Sequence, residues 1–93
     1  MDSYEYGELL KNLDKKMSNI TDITKPNEIE KRLKEIEELQ QDPNFWNNAK
    51  EAAKISQEKT KLEKILKVYN DAKDALNDAK EYFELAKAEN DEE

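Results

Sequence analysis

Beyond Pro43 the chain has neither glycine nor proline, and across that stretch an apolar residue returns at every seventh position: Ile55, Leu62, Tyr69, Leu76 and Phe83. No other feature restricts the fold as much. A strict seven-residue repeat without a breaker predicts one long helix whose apolar stripe is covered by a partner helix, with left-handed supercoiling. Ile65, Ala72, Ala79 and Ala86 stand three residues after the last four of these positions and complete the expected seam. Glu51 and Glu58 take that second position earlier on, so the first half of the seam is expected to be the weaker. Asn48 with Glu51 has the spacing of a capping box, which predicts a helix from about Ala49 to Ala88. About forty residues at ~1.5 Å each make a rod on the order of 60 Å.

Two shorter helices are expected upstream. The first is predicted from about Asp2 to Thr21, with Asp2 and Glu5 as a capping pair and Tyr6, Leu10, Leu13, Met17 and Ile20 as a narrow apolar stripe. Gly7 costs up to about 1 kcal/mol relative to alanine and weakens the first two turns. The chain then turns through Thr24-Lys25-Pro26. Asn27 is the expected N-cap of the second helix, with Glu30 closing its capping box and Ile29, Leu33, Ile36 and Leu39 on the inner face. That helix should end near Gln41, because a proline disfavours helical backbone in the residue before it.

Asp42-Pro43-Asn44-Phe45-Trp46-Asn47 makes the second corner and contains the only tryptophan. The aspartate carboxylate suits orphan N–H groups, and proline at a first helical position sacrifices no bond. Phe45 and Trp46 are expected to plug the end of the bundle as a packed corner; the other reading is a binding patch centred on Trp46. Two helices of about 15–20 residues, laid end to end, match one of about forty at the same rise. The expected fold is therefore all-α: an elongated antiparallel helical hairpin, or three-helix coiled-coil-like bundle, with one long C-terminal helix. A parallel homodimer through that helix is the alternative.

Composition limits the chemistry. Charged residues make up 42% and hydrophobic ones 35%, which fits disorder or thin helices that expose most of their surface; the periodicity decides for helices. There is no histidine and no cysteine, the serines lack a recognisable base, and one glycine cannot build a phosphate loop. No catalytic residue, metal ligand or cofactor site is assigned. The Asp91-Glu92-Glu93 run reads as an acidic tail or linker rather than a cation site. No stretch is apolar enough for a membrane span, and the default location is the cytoplasm.

The net charge of −7 argues against simple non-specific binding to nucleic acid, but its distribution is uneven. Residues 44–70 carry six lysines against three acids, and residues 71–93 carry three lysines against nine. At about 100° per residue, Lys50, Lys54, Lys61 and Lys64 share one side of a helix. They are the candidate phosphate-contacting residues; the plainer alternative is a solvated face that keeps the helix in solution.

The Glu30-Lys31-Arg32-Leu33-Lys34-Glu35 helix, the Asp42-to-Asn47 corner, the long helix and the Phe83-Glu84-Leu85-Ala86 exit together resemble a known family. They are similar to the N-terminal domain of the bacterial class I peptide chain release factors that read UAA and UGA. The resemblance spans essentially all 93 residues. The chain lacks the arginine-glycine-tyrosine turn that many members place near Ile23 through Pro26.

The resemblance implies that residues 1–93 are one helical domain of a longer factor, with residues 90–93 starting an acidic linker. The family's codon-reading Ser-Pro-Phe and its Gly-Gly-Gln occur nowhere in this sequence, so neither is carried over. It implies a non-catalytic module whose partners are the ribosome, at its stalk base, and the class II release-factor GTPase. No membrane or small-molecule substrate is implied, and a monomer is expected. The rival reading is a stand-alone coiled-coil adaptor that dimerises or captures partners through its helices.

Overall fold

Three α-helices and one 3-10 turn follow from these signals. In the computed structural model, which describes the backbone of residues 2–92 and the side chains of residues 2–89, they are α1 (Ser3–Thr24), α2 (Pro26–Gln41), the 3-10 turn (Pro43–Asn47) and α3 (Ala49–Glu92). No strand occurs among the described residues. The side chains of the acidic run at 90–93, read above as a linker, lie outside the described residues.

Each helix start has a local cause. The Glu5 N–H donates to Asp2 Oδ1 at 2.8 Å, which satisfies one of the orphan donors at the head of α1. The Glu51 N–H donates likewise to Asn48 Oδ1 at 3.1 Å at the head of α3. α1 runs three residues beyond the expected Thr21, because nothing in Asp22-Ile23-Thr24 breaks it before Pro26.

The junction between α1 and α2 differs from expectation. Lys25, not Asn27, is the N-cap of α2, and no side chain caps it. Lys25 sits at φ 54, ψ 62, in the left-handed region, with Pro26 at the first helical position. Proline disfavours right-handed helical backbone in the preceding residue, so α1 cannot continue through Lys25. The capping work falls to the Lys25 carbonyl, which accepts from Glu28 N at 3.0 Å and Ile29 N at 3.2 Å.

The contacts divide the chain into two compact units, a terminal unit (Met1–Ile23 with Asn70–Glu93) and a central unit (Thr24–Tyr69). In the central unit Ile29 and Ile36 of α2 and Ala52 and Tyr69 of α3 are buried, and Ile36 is fully enclosed. The half-buried positions Ile55, Lys59, Leu62 and Leu66 continue the inner face of α3 there. Ile65, expected in the seam, is exposed. The seven-residue positions hold, but the line beside them passes through Ala52, Lys59 and Leu66 rather than through Ile65, while Glu58 stays half-buried at its edge. Leu39 of α2, also expected on the inner face, is exposed as well.

In the terminal unit α1 and the second part of α3 run antiparallel. Tyr6 meets Phe83 with ring centroids 5.0 Å apart, and Asp14 pairs with Lys80. Leu13, Met17 and Ile20 then line one groove with Ala72, Ala75, Leu76 and Ala79. Leu10 is the buried apolar side chain of this unit among the described residues. Here Ala79 and Ala86 are half-buried three residues after Leu76 and Phe83, as expected, while Ala72 is exposed.

Candidate interaction surfaces

The corner after α2 is built by short polar side chains. Asp42 ends α2 in extended backbone, donating its N–H to the Leu39 carbonyl at 3.2 Å. Its Oδ1 accepts from Asn44 N at 2.9 Å, and Pro43 opens the 3-10 turn. Asn47 Nδ2 donates to Asn44 Oδ1 at 3.3 Å, tightening the same turn.

The two aromatics do not both go inside. Phe45 is half-buried, whereas Trp46 is 55% exposed. The rings meet edge to face at a centroid distance of 4.8 Å, and the indole N–H donates to the Gln40 carbonyl at 3.1 Å. This overturns the expectation that Trp46 is core. An indole has one polar edge, and here that edge caps an orphan carbonyl at the end of α2 while much of the ring stays in water. The Asp42–Pro43 turn places the ring over the helix end rather than between helices.

Lys50, Lys54, Lys61 and Lys64 are all exposed on the first half of α3. By helical rotation they lie nearly opposite the inner face formed by Ala52, Ile55, Lys59, Leu62 and Leu66. None of the four makes an ion pair among the described residues. Ser56, Gln57 and Thr60 line a shallow depression together with Lys61 and Lys64. Lys59, which interrupts the stripe in sequence, points elsewhere: its Nζ donates to Gln40 Oε1 at 3.2 Å.

One pair was missed by sequence reasoning. Arg32 of α2 donates Nε to Glu58 Oε2 at 2.9 Å and Nη2 to Glu58 Oε1 at 2.8 Å, a two-pronged bond between helices. Arg32 Nη1 also reaches Glu35 Oε2 at 3.4 Å. The hydrogen bond from Arg32 holds the Glu58 carboxyl below the usual glutamate range; burial opposes it, and the attraction of the Arg32 charge adds a smaller lowering. The Glu58 bond likewise raises the already high Arg32 value. The signal was present as an acid at a seam position, which needs a cation facing it.

Among the described residues no cluster of carboxylates could hold a metal ion, and no helix is long and apolar enough to cross a membrane.

The PCRF domain family matches residues 29–93, from the buried Ile29 through all of α3. Peptide chain release factor 2 of Sulfurovum sp. is 68% identical over all 93 residues, which make up 26% of that protein. The corresponding factor of Wolinella succinogenes is 58% identical over the whole chain and 25% of its own length. That of Sulfurimonas denitrificans is 54% identical over 92 residues. The chain thus spans about a quarter of the length of the curated relatives it matches. No solved structure matches it. Helix α1, which lies outside the domain match, is included in the alignments to these relatives. The chain belongs to the PCRF domain family, and the part of the release factor 2 proteins that it matches is their N-terminal part.

Proposed function

We propose that this chain is the non-catalytic N-terminal module of a translation termination factor. The full-length protein releases the finished peptide at UAA and UGA codons on the ribosome, in the cytoplasm. The module itself contributes a contact surface toward the stalk-base region of the ribosome and toward the class II release-factor GTPase, and it acts as a monomer. The observation that carries this reading is the match to release factor 2 proteins over the whole chain, together with a side-chain inventory without histidine or cysteine. A helical module adds contact surface without chemistry of its own.

Within that reading Lys50, Lys54, Lys61 and Lys64 are the phosphate-facing residues. Their exposure, their common side on α3 and their freedom from ion pairs among the described residues support the role. Phosphate contacts of this kind position a protein and weaken as salt rises. The test uses the full-length protein with Lys54→Glu and Lys61→Glu together. Ribosome association should weaken by about tenfold at low salt, less at higher salt, with unchanged helicity. Unaltered affinity at low salt would remove the stripe from the interface. Deleting residues 1–93 should leave stop-codon-dependent hydrolysis measurable; its complete loss would contradict a non-catalytic module. A concentration-dependent dimer in sedimentation would instead favour the coiled-coil adaptor.

A further inference from the structure

The terminal unit carries an apolar groove. Leu13, Met17 and Ile20 of α1 form one wall, and Ala72, Ala75, Leu76 and Ala79 of α3 form the floor and the other wall, around a volume of about 350 Å³. Leu13 is 36% and Ile20 43% exposed. Three alanines on α3 supply the depth: larger residues there would fill the space that two helices leave between them. Side chains that recur over two helical turns in this way are laid out to receive the apolar edge of a third helix.

Charge decides what kind of helix fits. Among the described side chains the terminal unit has eleven acidic and six basic, a net −5, whereas the central unit has nine acidic and ten basic, a net +1. A second copy of the chain would bring another −5 against the same surface, so like-charge repulsion opposes self-association there. Nucleic acid and anionic lipid are opposed on the same ground. Lys16 is the one charged residue lining the groove, on the α1 wall. Asp74 and Asp78 are exposed on the α3 side.

We propose that the groove between α1 and the second part of α3 is a docking site for a basic amphipathic helix of a partner protein. The helix inserts apolar residues spaced i, i+3 or i+4, and i+7 between Leu13, Met17, Ile20 and Leu76. Its lysines or arginines lie toward Asp74 and Asp78, away from Lys16. This site is separate from the lysine stripe and uses the opposite sign of charge, so it stands whether or not that stripe binds phosphate.

The test uses a synthetic helical peptide of roughly fourteen residues with leucines at that spacing and lysines elsewhere, about four turns long. A twin peptide has glutamate in place of every lysine. Titrated into the full-length protein with residues 1–93 isotopically labelled, the lysine peptide should shift amide signals of residues 13–20 and 72–79, and the glutamate twin should not. Leu13→Ser with Ile20→Ser should weaken binding by about tenfold or more, as truncation of central apolar contacts does. Asp74→Lys with Asp78→Lys, on exposed positions that do not maintain the fold, should weaken it about threefold or more and flatten its salt dependence. Shifts spread over the acidic surface outside the groove, or equal binding of the twin, would overturn the proposal. So would a dimer of the unmodified chain that is lost in the Ile20→Ser variant, since a second copy would then be the occupant.

Discussion

The two units are built from the same long helix, yet they are held together differently. In the central unit α2 presses Ile29 and Ile36 against α3, where Ala52 and Tyr69 are buried, and the Arg32–Glu58 and Lys59–Gln40 bonds flank that core. In the terminal unit, among the described residues, Leu10 is buried, one aromatic pair and one ion pair join the helices, and apolar side chains remain at the surface. The difference lies in what α3 offers. Its first half presents large residues, Ile55, Leu62 and Leu66; its second half alternates Leu76 and Phe83 with alanines. Large residues close a two-helix interface, whereas alanines bring helices together but bury little area. A sequence can thus keep one helical repeat and still divide its length between a closed core and an open seam.

The strongest way to break the comparison is to damage the better core. Ile36→Ala should cost about 2–5 kcal/mol, because the side chain is fully enclosed and leaves a cavity. Urea unfolding followed by circular dichroism reads the total. Amide exchange should show the loss concentrated in residues 26–69. An equal loss of protection across α1 would mean that the two units unfold as one.

The opposite change sharpens it from the weaker side. Gly7 is helical with ordinary φ, and a methyl group there would meet Phe83 Cζ at 3.7 Å, an ordinary contact distance. Gly7→Ala should therefore stabilise the terminal unit by about 0.5–1 kcal/mol through helix propensity. A rise in melting temperature with stronger protection of α1 amides is expected; destabilisation would mean that the Tyr6–Phe83 pair tolerates no added bulk.

The smallest effect concerns the ion pair. Arg32 and Glu58 are each more than a third exposed, so solvent screening limits the pair to about 0.5–1 kcal/mol despite its two-pronged geometry. The folded Glu58 carboxyl titrates below its unfolded value. Its contribution is therefore complete above the ordinary glutamate range and is lost as pH falls through the lower folded value. The stability gap between the chain and its Glu58→Gln variant should be constant near neutrality and close in acid. A gap independent of pH would mean that the pair contributes shape rather than charge.

Much of this was legible beforehand, and the failures have a pattern. The three helices, the Asp2 and Asn48 caps, the Asp42–Pro43 corner and the seven-residue positions of α3 all depend on local chemistry or on periodicity within one helix. Ile65 and Leu66 differ by one residue, and which of them turns inward depends on where the partner axis lies, which no single-helix pattern contains. Lys25 took the cap from Asn27 because left-handed backbone at a non-glycine residue carries no sequence mark. Trp46 misled because size suggests burial, while the free carbonyl of Gln40 that holds its indole exists only once α2 has ended. For the surfaces, the exposure of Lys50, Lys54, Lys61 and Lys64 followed from helical rotation alone. The groove did not, since it is a void between two segments distant in sequence.

Trp46 also has an optical consequence. As the only tryptophan it makes the chain's fluorescence a private report on the central unit, while Tyr4, Tyr6 and Tyr82 absorb for the terminal one. Its exposed ring should emit like a solvated indole and be quenched readily by acrylamide even in the native state. An emission-detected unfolding curve would then be silent about α1, and a mismatch between it and the far-ultraviolet signal would measure how independently the two halves of the chain melt.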